Sequence, residues 1–228
     1  MFNACERLTT FTSDLSSLIY GRAMFASCYE MTAFNADLSS LISGDLMFYN
    51  CDKLTTFNSD LSSLTNGEYM FYDCNKLTTF TSDLSSLTKG QYMFLNCKLD
   101  MNSVKNIATT INDDVQNAPK LTLGIDDSIK SNNTVKAHVG LIKYKGWDVF
   151  VNGDNSSDVY IEQKFIDCTT LDEVKAIDGN YKTNCIYNGE WCQMLPNLKD
   201  GNHTNSEATG MFYNCLNLTT FNTDLSSL

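Results

Sequence analysis

Proline is scarce in this chain: among 228 residues only Pro119 and Pro196 carry the ring, so nothing locks φ or withholds an N–H through the first hundred residues. Basic side chains are few as well. Sixteen Lys and Arg stand against 27 Asp and Glu, for a net charge of −11. Nucleic-acid binding needs clustered cations to neutralise phosphates, so that partner class is set aside. An acidic surface also disfavours anionic lipid. The chain has no apolar run of the about 18 residues that a membrane-crossing helix requires. Only two histidines occur, His138 among apolar helix-like positions and His203 in the polar stretch 201–205, and neither begins a metal or hydrolase motif. A glycine-rich phosphate loop is missing too. The one stretch with several chemically able side chains is 175–193, with Asp178, Glu190 and Cys192. These absences point to a protein that is not an enzyme and holds no cofactor or metal.

What the chain does have is repetition. Met1-Phe2-Asn3-Ala4-Cys5 returns at Met24, Met47, Met70 and Met93, each time ending in cysteine, at a constant step of 23 residues. A fixed period of this size means one small unit stacked on copies of itself, each copy burying its neighbour's apolar side. The unit reads MF-xx-C-xx-L-TT-F-xx-DL-SS-L-xx-G-xx. In the third copy the inward candidates are Met47, Phe48, Cys51, Leu54, Phe57, Leu61 and Leu64, and spacings of three and four suit neither a long strand nor a long helix. They suit a short coil that shows an apolar residue to the inside at each turn. Gly21, Gly44, Gly67 and Gly90 recur where a turn would need positive φ.

Three side-chain columns follow from the register. Cys5, Cys28, Cys51, Cys74 and Cys97, with Cys215 as a sixth, are expected as a buried column of stacked thiols, since free cysteine packs as a small hydrophobe. Asp14, Asp37, Asp60 and Asp83 form a second column, joined by Asp224. Each is placed to accept bonds from following N–H groups in a turn; calcium bridging between coils is the competing reading. The third column faces out from a short strand around Leu54 to Asn58. Thr10, Ala33, Thr56 and Thr79 form one rank and Thr12, Asn35, Asn58 and Thr81 the next, a ribbon of hydroxyls and amides able to hydrogen-bond a glycan or an extended protein segment. Tyr20, Tyr29, Tyr49, Tyr69, Tyr72 and Tyr92 lie outside the inward set, and exposed tyrosines suit binding surfaces.

Past Cys97 the pattern changes. Residues 103–111 carry apolar positions at 104, 107, 108 and 111, an amphipathic helix with Asn102 or Ser103 as its cap. Residues 120–125 alternate as a strand, 133–145 form a second helix and 147–151 a second strand. The expected organisation is a repeat array over 1–98, a divergent cap-like helix–strand–helix–strand unit over 99–153, and a degenerate, truncated second array over 164–228. The last rests on Phe165, Cys168, Leu171 and Val174 at repeat spacing, on Met194 to Gly201, and on a fresh motif at Met211. Cys185 and Cys192 lie within an insertion of that array, either paired as a disulfide or free. No basic-then-apolar leader opens the chain, Met1 falls on a repeat methionine, and Leu228 stops five residues short of a full unit, so a section of a longer array is expected.

The run MFYNC-DKLTTF-NSDLSSL resembles the repeat of BspA-type leucine-rich-repeat surface proteins, over 1–97, 164–177 and 194–228. Such repeats occur on bacterial cell surfaces, in some parasitic protists and in phage-associated proteins. The resemblance implies an α/β leucine-rich-repeat solenoid with short strands on one face and a strand–helix cap-like unit. It further implies adhesion or recognition at a cell or virion surface, extracellular, with a protein or glycan partner. A structural spacer without ligand is the alternative.

Overall fold

A 23-residue unit too short to bury its own apolar side must stack, and the computed structural model shows how. It describes residues 1–155, 164–168, 183–187 and 190–193. The chain divides into two units, Met1–Val159 and Tyr160–Leu228.

Each of the first four repeats contributes one two-residue strand: β1 (Thr10–Phe11), β2 (Ala33–Phe34), β3 (Thr56–Phe57) and β4 (Thr79–Phe80). They pair in parallel as β1–β2 and β3–β4, one repeat apart in register. β2 and β3 are not paired, so the strand face is two short ladders. Single bridges form a further inter-coil column, Tyr20 to Ser43 to Asn66 to Lys89.

The denser ladder lies at the Met-Phe-x-x-Cys segment. Ala23, Phe25 and Ser27 donate their N–H groups to Asp45, Met47 and Tyr49 of the next coil at 3.0, 2.9 and 2.7 Å. The intervening N–H groups of Met24, Ala26 and Cys28 close turns within their own coil, on Gly21, Ala23 and Phe25. Alternate donors thus leave the coil and stay in it, which satisfies the backbone without a regular strand. The alternation needs left-handed backbone, held at Ala23, Leu46, Tyr69 and Tyr92 in one column and Ser27, Asn50, Asp73 and Asn96 in another, with φ between 49° and 64°. On the strand side the polarity reverses, and Thr32 and Asn35 donate back to Thr9 and Phe11.

The repeat glycines do not supply the left-handed conformation expected of them; it falls two residues later, on non-glycine residues. The glycines provide room instead. A Cβ at Gly21 would lie 2.8 Å from Met47 Sδ, and one at Gly67 would lie 3.0 Å from Met93 Sδ.

The core is a double file of phenylalanine rings. Phe2, Phe25, Phe48, Phe71 and Phe94 stack at 5.4–5.6 Å with interplanar angles of 3–6°. Phe11, Phe34, Phe57 and Phe80 form the second file at 5.7–6.1 Å. Rings of the two files meet edge-to-face, the geometry the ring quadrupole favours. The stack continues where β2 and β3 do not pair, with Phe34 and Phe57 at 5.9 Å.

Helix α1 (Met101–Thr110) follows, capped by Asp100, whose carboxylate accepts from Ser103 N at 2.8 Å. The expected cap, Asn102 or Ser103, is thereby displaced. Ser103 serves the last coil instead: its Oγ accepts from Phe80 N at 2.8 Å. Asn106 and Asn112 donate side-chain amides to Ser82 O and Leu87 O. Polar side chains of this segment occupy the place that the backbone of a next coil would take. Strand β5 (Lys120–Leu123) pairs in parallel with β6 (Asp148–Val151) across α2 (Asn133–Tyr144), and β7 (Asp154–Asn155) joins β6 antiparallel. Asn132 caps α2. His138 on α2 is buried, and burial pushes its imidazole down to about 4, so it is neutral at pH 7.

In the second unit β8 (Lys164–Cys168) pairs in parallel with β9 (Thr183–Tyr187), and β10 (Glu190–Gln193) pairs antiparallel with β9. Cys185 stands opposite Cys192 in that hairpin. Phe165 and Cys168 lie on a strand, whereas the Phe48 and Cys51 they resemble in sequence lie in turns. Leu171, Val174, Met194 to Gly201, His203, the motif at Met211, Cys215 and Asp224 lie outside the described residues.

Candidate functional site

The ribbon residues occupy the strand segment of each coil. Thr10, Thr12, Asn35, Thr56, Asn58 and Thr81 are exposed, while Ala33 and Thr79 are half-buried. Each flanks a phenylalanine of the second core file, so alternation along the strand sends the phenylalanine in and its neighbours out.

A neighbouring column shows what distinguishes them. Thr32 and Thr78 donate their hydroxyls to Thr9 O and Thr55 O, one coil back, at 3.2 and 3.4 Å. Thr65 and Thr88 do the same, to Ile42 O and Thr65 O. Those threonines are committed to holding coils together. Among the described residues no protein hydrogen bond engages the side chains of Thr10, Thr12, Asn35, Thr56, Asn58, Thr79 or Thr81. The sequence does not separate the two classes: Thr78 and Thr79 are adjacent and chemically identical, yet the Thr78 hydroxyl is bonded one coil back and that of Thr79 is not.

The remaining columns make hydrogen bonds within the protein. Asp14, Asp37, Asp60 and Asp83 each accept the N–H of the serine two residues on, at 2.7–2.8 Å. The Ser16 N–H and hydroxyl hold Asp14 below the ordinary carboxylate range. Among the described residues no group of three His, Cys, Asp or Glu is arranged to hold a metal ion. Cys28, Cys51, Cys74 and Cys97 are buried and free, whereas Cys5 departs from the expected buried column and is exposed, because no described coil precedes its own. The buried thiols lie 3.1–3.3 Å from the carbonyls of Phe2, Phe25, Phe48 and Phe71, in reach of an S–H donor. Burial pushes Cys51 up to about 12 and raises the others in the same direction, so these thiols stay protonated and inert.

A family description, the BspA type leucine rich repeat region, matches residues 1–121 in six copies. The match runs past the five complete motifs, through α1 to the start of β5. The resemblance read at 164–177 and 194–228 lies beyond it. No curated protein and no solved structure matches the chain.

Proposed function

The chain belongs to the BspA-type leucine-rich-repeat family, and on that premise we propose that its first array is a non-enzymatic recognition module that binds a protein or glycan through the strand-face ribbon. Repeats of this family are commonly surface- or adhesion-related and generally act as protein-interaction modules. No described helix is long and apolar enough to cross a membrane. The observation that supports the ribbon is the uncommitted state of its side chains beside Thr32 and Thr78, whose hydroxyls are bonded one coil back. Side chains with free donors and acceptors, fixed at repeat spacing by a rigid core, need no reordering to meet a ligand, and preorganisation of this kind favours affinity. Placement at a cell or virion surface is part of the proposal, and a spacer without ligand is its alternative.

The test is a binding screen of the 228-residue chain against a panel of glycans and extracellular-matrix proteins, beside a Thr56→Lys/Asn58→Lys variant. Both positions are exposed, so stability should stay within about 0.5 kcal/mol per substitution. Recognition through the ribbon predicts at least one ligand, weakened about tenfold or more by the two lysines. Ligands bound equally by both proteins would move the site off the ribbon. A folded protein with no ligand would leave the spacer.

A further inference from the structure

The tyrosines, scattered in the sequence, converge in the fold. Tyr49 and Tyr72 stand two residues after a motif methionine, and Tyr69 and Tyr92 one residue before. Tyr49 and Tyr72 stack at 5.2 Å and 12°. Tyr69 joins the pair to Tyr92, with ring centroids 5.8 Å from Tyr72 and 4.9 Å from Tyr92. Tyr69 is 36% exposed and the other three are half-buried. Among the described residues no protein hydrogen bond engages their hydroxyls. The Tyr72 hydroxyl titrates above the ordinary phenol range, chiefly through desolvation, with Asp73 and the three neighbouring tyrosines adding to it.

The cluster opens onto a shallow pocket lined by Tyr92, Phe150, Gln91, Thr122 and Lys120. Aromatic rings and polar groups therefore continue from the third coil to β6, with Tyr69 tilted 43° and 34° to its neighbours and so out of the Tyr49–Tyr72 stack. The charges around them are mostly engaged. Asp73 accepts from Asn96 Nδ2 at 2.6 Å and Asp45 pairs with Arg22 at 3.2 Å. The Lys120 ammonium lies 5.6 Å from the centroid of the Phe150 ring. Glu68, next to Tyr69, and Lys120 carry opposite signs. Asp73 acts on the Tyr72 hydroxyl as a negative charge, so an anionic ligand is disfavoured here.

We propose that the surface running from Tyr49 to the pocket between Tyr92 and Phe150 is a binding site for a neutral hexopyranose glycan. The apolar C–H face of a pyranose ring packs on an aromatic ring, while its hydroxyls need neutral donors and acceptors, which the phenol hydroxyls and the Gln91 amide supply. An extended sugar chain suits rings arrayed at coil spacing better than a single small molecule does, because each added sugar meets a further ring. The site uses the methionine segment of the coils and not the strand segment. It goes beyond the ribbon proposal and does not depend on it.

Isothermal titration of the 228-residue chain with cellohexaose, chitohexaose and mannohexaose, each up to about 10 mM, tests this directly. At least one should bind saturably with Kd below about 1 mM. The Tyr49→Ala/Tyr72→Ala variant, at positions with ordinary backbone, should weaken that binding at least about tenfold. Tyr72→Leu, which keeps bulk and removes the aromatic ring, should weaken it severalfold and decides the matter if the double variant melts early. Thr56→Lys/Asn58→Lys should leave this Kd unchanged, which separates the site from the ribbon. Binding of none of the three sugars, binding indifferent to Tyr72→Leu, or capture of a protein on these tyrosines without sugar affinity would overturn the proposal.

Discussion

Phe48→Ala is expected to cost about 5 kcal/mol, enough to unfold much of the array. Phe48 is fully buried. It stacks on Phe25 and Phe71 at 5.6 and 5.5 Å and meets Phe34 and Phe57 edge-to-face at 4.7 and 5.2 Å. Truncating a buried phenylalanine costs about 3–5 kcal/mol from transfer and cavity, and the lost ring pairs add to that. Collapse around the hole is hindered because the coils are pinned on both sides by inter-coil hydrogen bonds. In a stack where each unit touches only its neighbours, a weak central unit also splits cooperativity. Urea unfolding followed by circular dichroism should therefore show an early, broadened transition. A loss below about 2 kcal/mol with a single sharp transition would mean that the file of rings is not what holds the coils together.

Gly124→Ala is expected to be nearly as damaging, for a different reason. A Cβ at Gly124 would fall 2.5 Å from Cys97 N and 2.7 Å from Cys97 O, and closer still to Phe94 O. These are backbone atoms of the fifth motif, which cannot rotate away, so β5 must lift off. The bonds from Phe94 N to Thr122 O and from Leu99 N to Gly124 O would be strained or lost with it. We expect about 3 kcal/mol or more, the upper end for overpacking. Gly67→Ala is the control. Its Cβ meets the Met93 thioether at 3.0 Å, the end of a flexible side chain, and should cost about 1 kcal/mol. Equal thermal shifts for the two variants would contradict the distinction between backbone and side-chain neighbours.

The repeat and its core were legible because both are periodic. Met47, Phe48, Cys51, Leu54, Phe57, Leu61 and Leu64 are all fully buried, as the spacing of the third unit predicts. The helices at 103–111 and 133–145 were legible from apolar spacing, and appear as Met101–Thr110 and Asn133–Tyr144. Glycine was misread at the repeat positions. A glycine near a turn suggests positive φ, but here the chain places Leu46, Tyr69 and Tyr92 in the left-handed region and keeps glycine where a methionine needs space. Local sequence could not reveal this, because the need is set by a side chain one coil away. Gly124 carried a usable signal, a lone glycine ending an alternating strand, which marks a close backbone approach. The convergence of Tyr69, Tyr72 and Tyr92 with Phe150 was beyond reach, since it depends on how β6 is brought beside the last coil through β5.

Recognition through uncommitted side chains is tested most directly by two isosteric substitutions read in two assays. Thr56→Val and Thr32→Val each remove a hydroxyl and keep the shape. The Thr32 hydroxyl holds Thr9 O, and that of Thr56 holds nothing in the protein. With a ligand from the panel in hand, Thr56→Val should weaken binding about fivefold and leave the melting temperature unchanged. Thr32→Val should lose about 1 kcal/mol of stability and bind as the parent chain does. Binding indifferent to Thr56→Val, or lost instead with Thr32→Val, would contradict recognition through the ribbon.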